Sequence, residues 1–194
     1  YGQSDMDEKI DRLIKQMTLE EKINMIHASG TFLSGGVQRL GVPELRMSDG
    51  PCGIRMEINR ENWDLAGWNN DNGTYFPAHS ALAATWDTSL ARKFGFALGQ
   101  ESKIRGKHVQ LAPGINIIRT PLCGRNWEYM SEDPFLISSL VVPVIQGMQS
   151  NGIAACVKHY ALNNQENERG TIDVNVDERP LREIYLPGFE AAIT

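Results

Sequence analysis

The hydrophobic positions near the start of the chain follow the period of an α-helix. Apolar residues recur at i, i+3, i+4 and i+7 in the set Ile10, Leu13, Ile14 and Met17. This spacing predicts a first helix. Thr18, with Glu21 three residues later, is a capping-box pattern and predicts that a second helix starts there. The apolar face of that second helix comprises Leu19, Ile23 and Ile26.

Short apolar runs further along the chain predict strands. They are the end of the segment 37–53 and residues 109–112, 153–157 and 174–176. Residues 153–157 are apolar throughout, as in a strand of a parallel sheet that is buried on both faces. The glycine-rich residues 30–36 predict a turn. Residues 56–76 are polar and aromatic without a period, which predicts a long surface loop.

Helical patterns lie between these runs. Asp87 is expected to cap one helix and Asp177 to cap the last one. Another helix opens at residues 131–134, where acidic residues and a proline cluster, and ends near Gly152. Pro143 falls inside it and predicts a kink or a break. Leu90, Phe94 and Leu98 share one face of the first of these helices, and Leu136, Leu140, Val144 and Met148 are expected to point inward from the second.

Strand, polar loop and helix thus alternate along the chain. This order is typical of βα units around a parallel sheet, so we expect an α/β fold. Three or four such units fit into the 194 residues. A closed (β/α)8 barrel needs eight units and about 250 residues, so this chain is too short to close one.

Composition and charge exclude several classes of protein. With 41% hydrophobic and 22% charged residues, the chain has an ordinary globular composition. Its formal net charge of −5 and the lack of a basic stripe argue against nucleic acid as a partner. No run approaches 18 apolar residues, so no membrane span is expected. The four histidines lack the paired spacing of a catalytic metal site, and we expect neither a metal nor another cofactor.

The three cysteines are too few and too scattered for a disulfide scaffold or a zinc site. They are Cys52, Cys123 and Cys156. We expect three buried thiols, because cysteine is often fully buried. One disulfide bond with a free thiol is the alternative.

Polar residues that follow extended segments are the candidates for chemistry. Asp49 stands in a Ser-Asp-Gly-Pro turn, where its carboxylate could accept two hydrogen bonds from neighbouring sugar hydroxyls or simply cap the turn. Arg125, in a Gly-Arg-Asn-Trp loop, could bind hydroxyls or form a structural salt bridge. Lys158 and His159 end an apolar strand, and a lysine there needs partners that offset its desolvation. The residues suggest a site for a polyol without an obvious nucleophile.

Together these motifs resemble glycoside hydrolase family 3, of the β-glucosidase type. The resemblance lies in residues 48–55, 124–134 and 158–166, with support from residues 17–22 and 178–183, in the same order along the chain. It implies that residues 1–194 are an incomplete N-terminal portion of a (β/α)8 TIM-like barrel domain. The downstream strands and the family's second α/β domain would then be absent from this chain.

The resemblance also implies roles for five residues. Those that match Asp49, Arg125, Lys158, His159 and Arg169 hold the terminal sugar in subsite −1 in the family. Family members are retaining enzymes, with a nucleophilic aspartate in a Ser-Asp-Trp-like motif and a general acid that is usually a glutamate. No such motif occurs between Arg169 and Thr194. We therefore expect no catalytic carboxylate in this chain, and an inactive, aggregation-prone chain unless the remainder of the enzyme, in the same or a separate chain, completes it.

The leading functional hypothesis is an exo-acting β-glucosidase that removes terminal non-reducing β-D-glucosyl residues from oligosaccharides. The alternatives are a β-xylosidase or other exo-glycosidase of the family, and a non-catalytic carbohydrate-binding fragment. A third class is an aldolase-like barrel in which Lys158 forms a Schiff base; the neighbouring amides suit hydroxyl binding better. The cellular compartment stays open, with the periplasm or secretion favoured only by analogy.

Overall fold

A computed structural model describes residues 2–55 and 72–194. Most of the loop predicted at 56–76 therefore lies outside the described residues; residues 72–76 have no regular secondary structure. The chain divides into two compact units. Among the described residues, one unit comprises residues 2–47 and the other comprises residues 48–55 and 72–194.

The first unit contains two helices and an antiparallel strand group. Helix α1 spans Gly2–Gln16 and helix α2 spans Leu19–Met25. Strands β1 (Ala28–Gly30) and β2 (Leu33–Ser34) form a hairpin, and β2 also pairs antiparallel with β3 (Leu45–Ser48). The predicted turn at 30–36 is thus too long, because only Thr31 and Phe32 form it.

The capping box of α2 is confirmed. The N–H of Glu21 donates to the Thr18 hydroxyl at 3.1 Å, and the N–H of Thr18 donates to the Glu21 carboxylate at 2.9 Å. Arg39 adds two hydrogen bonds to the same carboxylate, at 3.1 and 2.8 Å. Because this cap uses groups close in sequence, the start of the helix could be predicted.

The second unit is built from helices around a short parallel strand pair. Strands β4 (Val109–Gln110) and β5 (Ala154–Ala155) pair in parallel, with Val109 opposite Ala154. The helices are α3 (His79–Ala83), α4 (Thr88–Ile104), α5 (Pro134–Gln149), α6 (Glu178–Pro180) and α7 (Pro187–Ile193), with a π-helical segment at Leu181–Tyr185. Helix α5 connects β4 to β5, which is the βα pattern that the sequence predicts.

Most predicted helix features are found. Asp87 accepts hydrogen bonds from the N–H groups of Ser89 and Leu90 at 2.8 and 3.0 Å, and thus caps α4. The four inward residues predicted for α5 are all buried. Helix α5 continues through Pro143 without a break, since Val141 and Val144 on either side are completely buried in the core.

Near the C-terminal end one prediction is wrong and another is correct only in its position. Residues 174–176 are not a strand; Val174 is half exposed, and the Asn175 amide donates to Asp173 at 3.0 Å. Two valines separated by a polar residue provide too little apolar surface for a buried strand. Asp177 occupies the N-cap position of α6, but its side chain makes no capping hydrogen bond.

The cysteine prediction is correct for two of the three residues. Cys52 and Cys123 are buried thiols, whereas Cys156 is exposed, and none of the three forms a disulfide bond. No helix in the described part of the chain is long and apolar enough to cross a membrane.

Helices α4 and α5 approach each other closely at two glycines. A Cβ built on Gly95 would lie 2.0 Å from the carbonyl oxygen of Val144, and one on Gly147 would lie 2.3 Å from that of Arg92. The contact belongs to the main core of this unit, where Leu98 and Leu140 are also buried. The absence of side chains at the two glycines therefore sets the distance between the helices.

Replacing Gly95 with alanine should destabilise the protein, because the new methyl group must push the two helices apart. We expect the free energy of unfolding to fall by about 2 kcal/mol or more, in the range for overpacked cores. Urea denaturation measures it. Gly170→Ala is the control, since a Cβ there meets no atom within 4 Å. Equal losses in the two variants would contradict the proposed role of Gly95.

Candidate functional site

The first side chain of the site is Asp49, which directly follows β3. Gly50 holds the turn, with a φ of 106°, and a Cβ at this position would lie 2.1 Å from the carbonyl oxygen of Gly53. The N–H of Gly50 donates to the Asp49 carboxylate at 2.9 Å. The buried amide of Gln110 in β4 donates to the carbonyl of Gly50 at 2.7 Å. The turn after β3 is thus fixed to the parallel strand pair.

Lys158 and His159 follow β5 on an extension of the parallel ladder. The N–H of Lys158 donates to the carbonyl of Pro113 at 3.0 Å, and the N–H of Ile115 donates back to Lys158 at 2.8 Å. Gly114 and Lys158 form a parallel bridge there. Strand β5 itself is shorter than the predicted strand 153–157, but the bridge at Lys158 extends the ladder and brings two polar side chains to its carboxyl end.

The turn that carries Arg125 also contributes a buried carboxylate. Residues Asn126–Glu128 form one turn of 3₁₀-helix. Glu128 is only 2% exposed. One of its carboxylate oxygens accepts a hydrogen bond from Nε of Arg125, and the other lies 3.8 Å from Nζ of Lys158. Lys158 also forms an ion pair with Asp49. The carboxylate of Glu128 therefore links the two cations of the site.

His159 is held by neighbours on both ring nitrogens. A guanidinium N–H of Arg125 donates to Nε2 at 2.7 Å, so Nε2 is the unprotonated nitrogen. Nδ1–H then donates to the hydroxyl of Tyr129 at 3.2 Å. The amide of Asn163 donates to the same hydroxyl at 3.0 Å. The imidazole is thus a neutral ring with a defined tautomer.

Glu166 joins Arg169 to this cluster. Its carboxylate accepts from Asn163 at 2.9 Å, lies 3.4 Å from Arg125, and accepts from Arg169 at 3.0 Å. The side chain of Arg169 is 62% exposed. Arg169 therefore reaches the cluster through Glu166. The other four predicted residues contact one another directly or share the carboxylate of Glu128.

Burial and neighbouring charges change the pKa values of the site. Burial would raise the pKa of Asp49, but the attraction of Lys158 and the hydrogen bonds from Lys158 and Gly50 outweigh it and leave the pKa lowered. Burial, together with Arg125 and Lys158, lowers the pKa of His159 to about 4. Burial raises the pKa of Tyr129 to about 12. At neutral pH the site therefore contains a carboxylate at Asp49, a neutral imidazole and a neutral phenol.

This arrangement suits a ligand that carries several hydroxyl groups. The carboxylate of Asp49 offers acceptor positions, while the ammonium of Lys158 and the guanidinium of Arg125 offer donors. Hydrogen bonds to charged groups are about twice as strong as neutral ones. Among the described residues, no group of three or more His, Cys, Asp and Glu side chains is placed to hold a metal ion.

Sequence reasoning identified four residues that the structure brings together: Asp49, Arg125, Lys158 and His159. It did not identify Glu128, Tyr129 or Asn163. The signal for Glu128 was its place three residues after Arg125, together with the expectation that Lys158 needs a buried partner. Nothing local distinguishes Tyr129, whose hydroxyl contacts residues at least 30 positions away.

Comparison with known proteins establishes the family. Residues 41–194 match the glycosyl hydrolase family 3 N terminal domain, so the chain belongs to that family. The beta-glucosidase BoGH3A of Bacteroides ovatus is 58% identical over 185 residues, which are 95% of this chain and 25% of that protein. The exo-alpha-(1->6)-L-arabinopyranosidase of Bifidobacterium longum is 36% identical, over 95% of this chain and 24% of that protein.

A solved structure shows the same fold. Beta-glucosidase 3B from Thermotoga neapolitana in complex with glucose aligns with a TM-score of 0.86 and 40% sequence identity, over 95% of this chain and 27% of that chain. The α/β fold described above is therefore a portion of a (β/α)8 barrel. The chain spans about a quarter of the length of these relatives.

A buried histidine outside this cluster supports the turn that carries Glu128. His79 in α3 is completely buried, and its Nδ1–H donates to the backbone carbonyl of Glu128 at 2.9 Å. Nε2 has no hydrogen-bond partner among the described residues. Burial lowers the pKa of His79 to about 4. The hydrogen bond to the Glu128 carbonyl favours a higher pKa but offsets only part of this effect.

Stability should therefore fall on acidification between about pH 6.5 and pH 4. In this window the unfolded chain binds a proton at His79 that the folded protein does not, so the free energy of unfolding decreases with decreasing pH. The loss from His79 should reach about 3 kcal/mol. His79→Asn keeps a donor for Glu128 and should reduce the slope, as measured by urea denaturation at several pH values. The same replacement at the exposed His27 is the control, and an unchanged slope in His79→Asn would contradict the assignment.

Proposed function

We propose that the protein to which this chain belongs is a retaining exo-β-glucosidase, and that this chain supplies the side chains that bind the terminal sugar in subsite −1. The observation that carries the proposal is the contact of Lys158 with both Asp49 and Glu128, next to the pair of Arg125 and His159. The similarity to beta-glucosidases of known sequence and structure supports it.

In this proposal the hydroxyl groups of the terminal glucosyl unit exchange their hydrogen bonds with water for hydrogen bonds with side chains of the site. Asp49 accepts hydrogen bonds from a pair of neighbouring hydroxyls, and Lys158 donates to one oxygen of the same pair. Arg125 and His159 contact the hydroxyls on the next carbon atoms, and Arg169 contributes from the exposed edge. Glu128 has a different role: it keeps the two cations in place without reaching the sugar, since it is almost completely buried.

The two catalytic carboxylates of the retaining mechanism are assigned to residues outside this sequence. The three carboxylates of the site are occupied by cations: Asp49 by Lys158, Glu128 by Arg125 and Lys158, and Glu166 by Arg169. The nucleophile of a retaining enzyme must instead approach the anomeric carbon of the sugar. The Ser-Asp-Trp-like motif of the family is absent from this chain.

Hydrolysis of p-nitrophenyl β-D-glucoside by the longest product of the gene tests the proposal. We expect activity in that product and none in the 194-residue chain. Activity in the short chain would mean that one of its own carboxylates acts as nucleophile. A long product without glycosidase activity that still binds glucose would instead support the carbohydrate-binding alternative.

Asp49→Asn in the long product should reduce kcat/KM by about 100-fold, because a charged hydrogen bond of roughly 1.5–3 kcal/mol is lost along with the ion pair to Lys158. Asp177→Asn is the matched control, since that exposed carboxylate makes no capping bond. Restoration of activity to Asp49→Gly by azide would show that Asp49 is the nucleophile and would refute its assignment to sugar binding.

A pentopyranoside is the second candidate substrate. The similarity to an exo-alpha-(1->6)-L-arabinopyranosidase favours it, because arabinopyranose and xylose both lack the hydroxymethyl group of glucose. The nitrophenyl derivatives of β-xylose and α-L-arabinopyranose should be assayed beside the glucoside. A larger kcat/KM for either pentoside than for the glucoside would show that the pentose, and not glucose, is the preferred sugar.

The Schiff-base hypothesis for Lys158 has less support. Lys158 lies between the carboxylates of Asp49 and Glu128, which are contacts of an ammonium ion, whereas imine formation requires a neutral amine. Borohydride with a carbonyl substrate should therefore leave Lys158 unmodified, as measured by mass spectrometry of its peptide. A reduced adduct at Lys158 would support the aldolase-like hypothesis.

A further inference from the structure

Asn116 lies where the parallel ladder beside β4 and β5 ends. The ladder continues from these strands through the backbone hydrogen bonds of Pro113 and Ile115 with Lys158. At His159 the backbone pairs with a side chain in place of a strand. Asn116 is 1% exposed, so its amide must find all of its partners within the protein.

The amide of Asn116 binds the backbone in the way that a peptide group of a neighbouring strand would. Its oxygen accepts the N–H of His159 at 2.7 Å. Its nitrogen donates to the carbonyl of His159 at 2.8 Å and to that of Ala161 at 3.0 Å. One side chain thus fixes the backbone from His159 to Ala161.

The residue fixed in this way is His159, whose ring must meet a partner at each of its two nitrogens. Both nitrogens of His159 have partners on a different segment, Arg125 at 2.7 Å and Tyr129 at 3.2 Å. The ring can meet both only if its own backbone stays in place. Hydrogen bonds weaken steeply when their geometry is lost, so a small backbone movement would release the imidazole.

We propose that Asn116 is a positioning residue that acts through His159 in the binding of the terminal sugar. It makes no contact with the ligand itself; it holds the backbone from which the imidazole reaches Arg125. This inference rests on the proposed function for its effect on activity, but its effect on His159 can be measured separately.

A double-mutant cycle in the longest product of the gene tests the proposal. Asn116→Ala and His159→Ala should each lower kcat/KM for the nitrophenyl glycoside that the wild type hydrolyses best, Asn116→Ala by about 10- to 100-fold, in the range for misplaced binding groups. When His159 is already alanine, the further loss from Asn116→Ala should be less than about threefold, because the two residues act as one unit. The same fold loss in both backgrounds would overturn the proposal.

Asn151→Ala is the matched control. The amide of Asn151 also donates to two backbone carbonyls, those of Phe96 at 3.0 Å and Gly147 at 3.3 Å, but at the end of α5. Its loss should lower the melting temperature and change kcat/KM by the same small factor with and without His159. If Asn116→Ala does not unfold cooperatively, Asn116→Asp takes its place in the cycle, since it keeps the acceptor and removes both donors.

Modification of His159 by diethyl pyrocarbonate provides a readout that does not depend on glycosidase activity. The two hydrogen bonds of the ring should protect it in the wild type, and Asn116→Asp should raise its modification rate at least tenfold, measured by mass spectrometry of its peptide. Asn151→Asp should leave that rate unchanged. An unchanged rate in Asn116→Asp refutes the positioning role, whereas an inactive wild type with the expected rates refutes the proposed function alone.

Discussion

The site depends on the contacts that the buried carboxylate of Glu128 makes with two cations. This carboxylate contacts Arg125 on one oxygen and lies near Lys158 on the other, and these two cations come from segments more than 30 residues apart. A buried ion pair stabilises a protein little, because desolvation offsets the attraction, but removing one partner leaves a charge in the interior. The value of Glu128 thus lies in where it holds the two donors. Its backbone is held in turn by His79.

The parallel strand pair provides the rest of the framework. It is only two residues long in each strand, yet it places the Asp49 turn, through Gln110, and the Lys158 segment, through Pro113 and Ile115, at one edge. Such an edge at the carboxyl ends of strands is where barrel enzymes build their sites. The close contact of α4 and α5 at glycines supports these strands, because α5 connects β4 to β5. The core and the site are therefore held together by the same strand pair.

The sequence predicted the features that depend on neighbouring residues. The caps at Thr18 and Asp87 and the presence of a strand at Ala154–Ala155 follow from groups within a few positions of each other. Asp49, Arg125, Lys158 and His159, which the structure brings together, could be predicted because polar side chains in turns and after apolar strands are unusual and because their motifs resemble those of a family. Glu128 and Asn116 were not found, since an acidic residue and an amide in loops have many uses. Their roles arise from partners 30 and 43 positions away.

The strand predicted at 174–176 shows the opposite failure. A local pattern of two valines has the residue types of a strand, but in the structure no buried surface is available for both of them. Tertiary packing thus decides whether such short runs become strands.

The pairing of charges in the site has a further consequence for how a ligand is selected. Three cations, Arg125, Lys158 and Arg169, face three carboxylates, Asp49, Glu128 and Glu166, so their fields cancel beyond a few ångströms. Such a site attracts no ion from a distance, and electrostatic steering contributes little to association. A neutral sugar does not depend on such steering. A uronic acid or a sugar phosphate would add a negative charge without a matching cation, because the cations and carboxylates of the site already pair with one another. For the ligand proposed above, the charge balance should favour uncharged sugars and leave binding nearly independent of the ionic strength of the surroundings.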